Sequence, residues 1–247
     1  MELTDEEKLA KRLKLRFNKA CADYHLIDDG DRILVGLSGG KDSLVLLDLL
    51  GNRAKVYKPH FEVTAAHVVM ENIPYHADLG YLQQQAESAG MKLHVARTSF
   101  DPSTDKRKTP CFLCSWMRRK ALFETAKSLG CNKIALGHHM DDLLITLLMN
   151  LTFQGAFSTM PPLLEMDKFD MKIIRPLCRI EEKDLQAYAT LKGYRMQFKN
   201  CPYENDSHRF NMKNLLDKLV EMNPEAKNSL WGAMTNVQTD LLPPLLK

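Results

Sequence analysis

"ILVGLSGGKDSLVLLDLL" runs from Ile33 to Leu50. An apolar run ends at Leu37, a glycine-bearing loop follows, and a second apolar run begins at Leu44. The pattern predicts a buried strand, a turn and a helix. Gly39 and Gly40 let the backbone approach a ligand closely and take positive φ. The helix that follows points its first N–H groups, with their partial positive charge, at the loop. Ser38, Lys41 and Ser43 add donors, so the loop reads as a phosphate cradle. It departs from the common form G-x-x-x-x-G-K-[ST], in which a hydroxyl residue follows the lysine directly. Here Asp42 separates Lys41 from Ser43. A carboxylate beside a triphosphate is repulsive unless Mg²⁺ lies between them. Ser38 to Ser43 is therefore expected to hold a nucleotide with Mg²⁺. Lys41 and Asp42 are its catalytic candidates, and Asp42 is given to Mg²⁺ or to general-base duty.

Working outward, strands and helices alternate. "FEVTAAHVV" (Phe61 to Val69), "KLHVARTSF", "NKIALGHH" and "KIIRPL" read as further strands. "YHADLGYLQQQAESAG", "CFLCSWMRRKALFETAKSLG", "DDLLITLLMNLTF" and "EEKDLQAYATLKG" read as helices, with Gly90 and Gly130 at C-caps. Thr4 and Glu7 form a capping box ahead of an N-terminal helix. Gln154 to Lys172 reads as irregular. A short strand is expected beyond Tyr194, then a cysteine loop and two helices near Ser207 to Glu221 and Pro224 to Val237. The expected class is α/β: a doubly wound, mostly parallel five-stranded sheet with helices on both faces. Three divisions are expected: an N-terminal helix (1–25), the nucleotide-binding α/β domain (26–200), and a C-terminal cysteine loop with helices (201–247).

The chain has 247 residues, 45% hydrophobic and 26% charged, with a net charge of +3. That length and composition suit one large soluble domain, or one domain with a small appendage. The charge permits contact with nucleic acid without arguing for it, so RNA contact must come from local patches. Lys106-Arg107-Lys108 and Arg118-Arg119-Lys120 are the candidates. No apolar run reaches the length of a membrane span, and the start "MELTDEEK" is unlike a signal peptide. A cytoplasmic protein without membrane contact is expected. Its six cysteines then read as thiols or metal ligands, not disulfides.

Ligands of parallel sheets bind at the carboxyl ends of strands. "GHHMDD", Gly137 to Asp142, falls there, and Gly137 and Asp142 are placed near the nucleotide or Mg²⁺. His67, at the end of the second strand, is a candidate for contact with adenine. Cys111 and Cys114 stand one helical turn apart, and Cys201 in "KNCPYEND" is the best third thiol. Cys21, Cys131 and Cys178 have apolar neighbours and read as packing thiols. Three thiolates leave two options open: zinc completed by His208, His138 or His139, or a [4Fe-4S] cluster with one iron open.

"SGGKDS" resembles the S-G-G-x-D-S signature of the PP-loop, or N-type ATP pyrophosphatase, superfamily. That resemblance implies an adenine nucleotide alpha hydrolase-like fold and cleavage of ATP between the α- and β-phosphates. "TPCFLCSWMRRKALFETAKSLGCNKIALGHHMDDLLITLLMNL", "MPPLL", "IIRPL" and the late cysteine followed by Arg209 are similar to the tRNA 2-thiocytidine synthetase family. The resemblance covers roughly Phe17 to Lys218. It implies that ATP activates a cytidine carbonyl in the anticodon loop, and that Cys111, Cys114 and Cys201 hold a [4Fe-4S] cluster supporting sulfur insertion. It also implies tRNA and a sulfur donor such as a cysteine desulfurase as partners; a homodimer is a further expectation. The alternatives are a lysidine-type PP-loop ligase or thiouridine synthetase with structural zinc, and a silent nucleotide-binding partner of another sulfur-transfer protein.

Overall fold

Ile33, Leu34 and Val35 are each fully buried, so the strand that carries them, β1 (Arg32–Gly36), is covered on both faces. In the computed structural model β1 is a central strand of a six-stranded sheet ordered β3-β2-β1-β4-β6-β5. The other strands are β2 (Glu62–Met70), β3 (Leu93–Thr98), β4 (Lys133–Ala135), β5 (Leu163–Glu165) and β6 (Lys172–Ile174). β2, β3, β4 and β6 run parallel to β1, with Gly36 level with Ala66 and Val35 level with both Ala65 and Ala135. The structure describes residues 3–73, 77–101, 103, 109–166, 170–195, 197 and 208–243.

Five parallel strands are those expected from sequence. The sixth, β5, lies in the stretch read as irregular and pairs antiparallel to β6, Leu164 opposite Ile173. Three residues beside Pro161-Pro162 carry no alternation long enough to announce a strand; only β6 as a neighbour makes them one. Of the strand expected beyond Tyr194, residues 194, 195 and 197 are not extended in the sheet, and the others lie outside the described residues.

The helices are α1 (Asp5–Asp23), α2 (Lys41–Ala54), α3 (Leu79–Ser88), α4 (Pro110–Ser128), α5 (Met140–Met149), α6 (Glu182–Leu191), α7 (His208–Met222) and α8 (Ala226–Ala233). Local signals set their ends. The Thr4 hydroxyl accepts from the Glu7 N–H while the Thr4 N–H donates to Glu7 Oε2, which closes the capping box. Asp78 caps α3, Thr109 caps α4, and Pro110 takes the first position of α4, where no N–H is needed.

The chain divides into two compact units: residues 1–140 with 161–205, and residues 141–160 with 206–247. In the first, one face of the sheet packs Ile33, Val35 and Ile174 against α1, α2, α3 and α6. The other packs Leu34, Ala66, Ile134 and Ile173 against Phe123 and Ala126 of α4. Helices thus cover both faces, as expected. α1 is tied to α6 through Arg12 and Arg16, which meet the buried Asp184. In the second unit, α5 runs into a π-helical turn, and Phe153 meets His208 of α7 ring to ring at 4.7 Å. Among the described residues no helix is long and apolar enough to cross a membrane.

Candidate functional site: the loop after β1 and the thiols of α4

From β1 the chain proceeds through β2 to β3 on one side, and β4 and β6 lie on the other. The order in which strands are added therefore reverses between β1 and β4, while the strands stay parallel. A crevice outside the carboxyl ends of the strands at such a point is where open α/β sheets bind ligands. The loop 38–43 leaves β1 at that end, and residues 136–139 leave β4 beside it.

Side chains close the loop on itself. Ser43 Oγ donates to the Gly40 carbonyl at 2.8 Å and accepts from the Gly39 N–H at 3.2 Å. Ser38 Oγ donates to Ser43 Oγ and accepts from the Gly40 N–H. The two serines hold the turn, and the N–H groups of the first turn of α2 are what the loop offers an anion. Gly39 has φ +85°, and a Cβ there would meet Gln197 Cγ at 2.7 Å. The Gln197 N–H donates to the Gly39 carbonyl at 3.2 Å. Gly137 is required for a different reason: a Cβ would lie 3.1 Å from the Asp42 carbonyl carbon and the Ser43 nitrogen. The turn after β4 touches the backbone of the loop.

Lys41 Nζ lies 3.3 Å from the Asp42 carboxylate and 3.2 Å from Glu182 Oε1. Burial works against its charge, but the two carboxylates outweigh it and raise its pKa above the ordinary value. Lys41 is thus held as a cation between two acids. His67 is 3% exposed, and its Nδ1 lies 2.7 Å from the Leu37 carbonyl. It braces the residue ahead of Ser38. Asp142 belongs to the second unit, in the first turn of α5, where Arg209 donates to its Oδ1; Lys227 pairs with Asp141 there.

The cysteine pair occupies the first turn of α4, at the same carboxyl end of the strands, beyond β3. Cys111 is exposed. Cys114 is half-buried, packed with Leu113 and Met117 against Met70, Ile73 and Phe100. Soft thiolates suit iron or zinc. Cys201 lies outside the described residues, as do Lys106-Arg107-Lys108. Among the described residues no three His, Cys, Asp or Glu are placed to hold a metal ion. The described chain thus supplies two of the three expected thiol ligands. Their type, spacing and helix-end position fit an iron–sulfur cluster. Cys21, Cys131 and Cys178 are buried, and burial pushes the thiols of Cys21 and Cys178 up to about 12, which makes them inert packing groups.

Sequence reasoning missed three residues. Glu182 looked like an ordinary first-turn acid of a helix, and nothing local links it to Lys41. Gln197 carried no signal. Arg175 carried one: it directly follows the apolar strand β6, at the ligand-binding end. It is 5% exposed, and its Nη1 donates to the Pro161 carbonyl at 2.6 Å. Burial, then the charge of Arg119, lower its pKa to about 10.

The PP-loop domain family (ATP_bind_3) matches residues 6–219. A protein of Psychromonas ingrahamii named tRNA-cytidine(32) 2-sulfurtransferase is 38% identical over 94% of this chain and 76% of its own length. One of the same name from Syntrophotalea carbinolica is 36% identical over 94% of this chain and 92% of its own length. The U34-tRNA thiolase NcsA from Methanococcus maripaludis, solved with its [4Fe-4S] cluster, superposes with a TM-score of 0.76 at 25% identity, covering 98% of this chain and 82% of that one. A phosphate loop at the sheet's switch point, an aspartate inside it, and likeness over nearly the whole length to these sulfurtransferases lead to one conclusion: the chain belongs to the PP-loop family and, within it, to the tRNA-cytidine 2-sulfurtransferases.

Proposed function

We propose that this enzyme uses Mg·ATP to adenylate the carbonyl oxygen of a tRNA base, cytidine in the anticodon loop, and replaces that oxygen with sulfur. The observation that carries the reading is that the Ser38–Ser43 cradle and the Cys111–Cys114 pair both lie at the carboxyl end of the parallel strands. Ser38 and Ser43 hold the loop in shape, and Gly39, Gly40 and Gly137 let backbone and ligand come close. Lys41 and the N-terminus of α2 offset charge on the phosphates as the base oxygen attacks the α-phosphate and pyrophosphate leaves. Asp42 is assigned to Mg²⁺ or to taking a proton. Asp142 is kept near the nucleotide or Mg²⁺ on its sequence position alone. His67 acts on the loop through Leu37, and contact with adenine is its sequence-based assignment. Cys111, Cys114 and Cys201 would hold a [4Fe-4S] cluster, which supplies one iron without a protein ligand as a place for sulfur. AMP leaves carrying the former base oxygen. Sulfur comes from a donor such as a cysteine desulfurase. A cytoplasmic location and a homodimer complete the proposal.

The test is Cys111→Ala, purified without oxygen. The variant is expected to lose iron, acid-labile sulfide and tRNA thiolation while retaining ATP–pyrophosphate exchange. Thiolation at the full rate by this variant would sink the cluster assignment. Zinc without iron in the unaltered protein would favour the zinc-bearing ligase or synthetase instead.

A further inference from the structure

α4 keeps one face in solvent. Phe112 and Trp116, one turn apart, are 49% and 50% exposed, and Arg119 and Lys120 continue the same face one turn further on. Inward packing accounts for Leu113, Cys114 and Met117, which meet Met70, Ile73 and Phe100. It leaves about half of Phe112 and of Trp116 in solvent. Exposed apolar residues scattered singly are ordinary; here two rings share a stripe with two cations and begin beside Cys111. Lys120 Nζ stands 5.8 Å from the centroid of Trp116, and its exposed pairing with Glu124 is long at 3.8 Å. Among the described residues no carboxylate pairs with Arg119. Its near neighbour is another cation, the buried Arg175.

We propose that this stripe of α4 binds a single-stranded RNA loop: Phe112 and Trp116 stack bases that flank the reacting nucleotide, and Arg119 with Lys120 holds backbone phosphates. The inference rests on the RNA-thiolation reading and deepens it. Chemistry on a base requires that the base leave its stack. Its neighbours then lose stacking, and aromatic side chains replace it for any base, since every base has a π-face. Rings supply that surface, the adjacent cations meet the phosphates, and the stripe starts at the thiol pair where the reaction is placed. A protein docking here would need acids for Arg119 and Lys120 and would block the approach to Cys111.

Stacking and phosphate contact separate by salt. The chain has two tryptophans, so the full-length holoprotein carrying W231F leaves Trp116 as the sole reporter. It is titrated with an RNA hairpin bearing an anticodon-sized loop, and with a fully paired RNA duplex of equal length. The hairpin is expected to bind more tightly and to quench Trp116 emission. Trp116→Ala should weaken hairpin binding roughly five- to hundredfold and leave the salt slope unchanged; Trp116→Phe should restore most of it. Arg119→Ala should lower the slope of log K against log salt by about one. Equal binding of hairpin and duplex, or unchanged hairpin affinity in both Trp116→Ala and Phe112→Ala, would overturn the proposal. A quenched Trp116 in a protein that fails to thiolate would strike the enzymatic reading and uphold stacking. Thiolation at the normal rate without quenching or loop preference would do the reverse.

Discussion

Gly137→Ala adds one carbon against the loop it supports. The new Cβ would lie 3.1 Å from the Asp42 carbonyl carbon, 3.1 Å from the Ser43 nitrogen and 3.2 Å from the Asp42 carbonyl oxygen. All three are backbone atoms at the start of α2, so no side chain can swing aside. Carbon contacts are comfortable at about 3.5–4.0 Å, and relief therefore takes a shift of roughly 0.4 Å. Gly137 has no positive φ, so the cost is steric alone. If a 1 Å misplacement costs about a hundredfold, this shift should lower ATP–pyrophosphate exchange roughly five- to tenfold. Overpacking should also cost about 1–3 kcal/mol, or some 2–4 °C of Tm per kcal/mol in a chain of this size. Two controls separate the effects. At Gly36 a Cβ would press on the Leu136 and Leu122 side-chain ends, and its backbone neighbour, the Ala135 carbonyl oxygen, stands at an ordinary 3.7 Å. At Gly51, near the far end of α2, it would run into the Ala89 carbonyl oxygen. Gly51→Ala should lose stability without losing exchange at temperatures where it is folded, and Gly36→Ala should lose little of either. The measurements are exchange rate against ATP concentration and thermal melts. Wild-type exchange in Gly137→Ala, or exchange that merely tracks Tm across all three variants, would refute the reasoning.

Lys41→Met should lower exchange by about 10²–10³ with little change in melting. Because Asp42 and Glu182 raise its pKa above the ordinary 10.5, its ion-pair stabilisation is complete below that value and is lost only as pH rises through the raised one. A pH–rate profile should accordingly show no limb from this lysine near neutrality. Lys133, 2% exposed, meets Asp31 at 2.7 Å and Asp28 at 2.8 Å. Lys133→Met leaves Asp31 buried without its cation and should cost about 3–5 kcal/mol, read by urea unfolding. The hydrogen bond from Lys133 lowers the Asp28 pKa below 3.8. That contribution is present above the unfolded value and lost as pH falls through the depressed one, so the stability gap between wild type and Lys133→Met should narrow as pH falls below about 4.

The α/β class, the turn between β1 and α2, and the placing of Cys111 and Cys114 on one helix were legible because each rests on local chemistry. A buried strand must be apolar, a phosphate turn needs glycine and donors, and two ligands on one helix need the spacing of a turn. Capping residues set helix ends for the same reason: Thr4, Asp78 and Thr109 bond within three residues of themselves. What escaped was set by partners distant in the chain. Leu163–Glu165 is a strand only because β6 lies beside it. Glu182 reaches Lys41 across 141 residues, and Gly137 meets Asp42 because β1 and β4 are neighbours in the sheet. Period and composition report which way a side chain faces, in or out. They carry no information on which distant element it meets, and that choice belongs to strand order. Lys41 and Asp42 in "SGGKDS" were visible from the first line; only the packed sheet decided that Glu182 would reach Lys41 and that the turn after β4 would meet the Asp42 backbone.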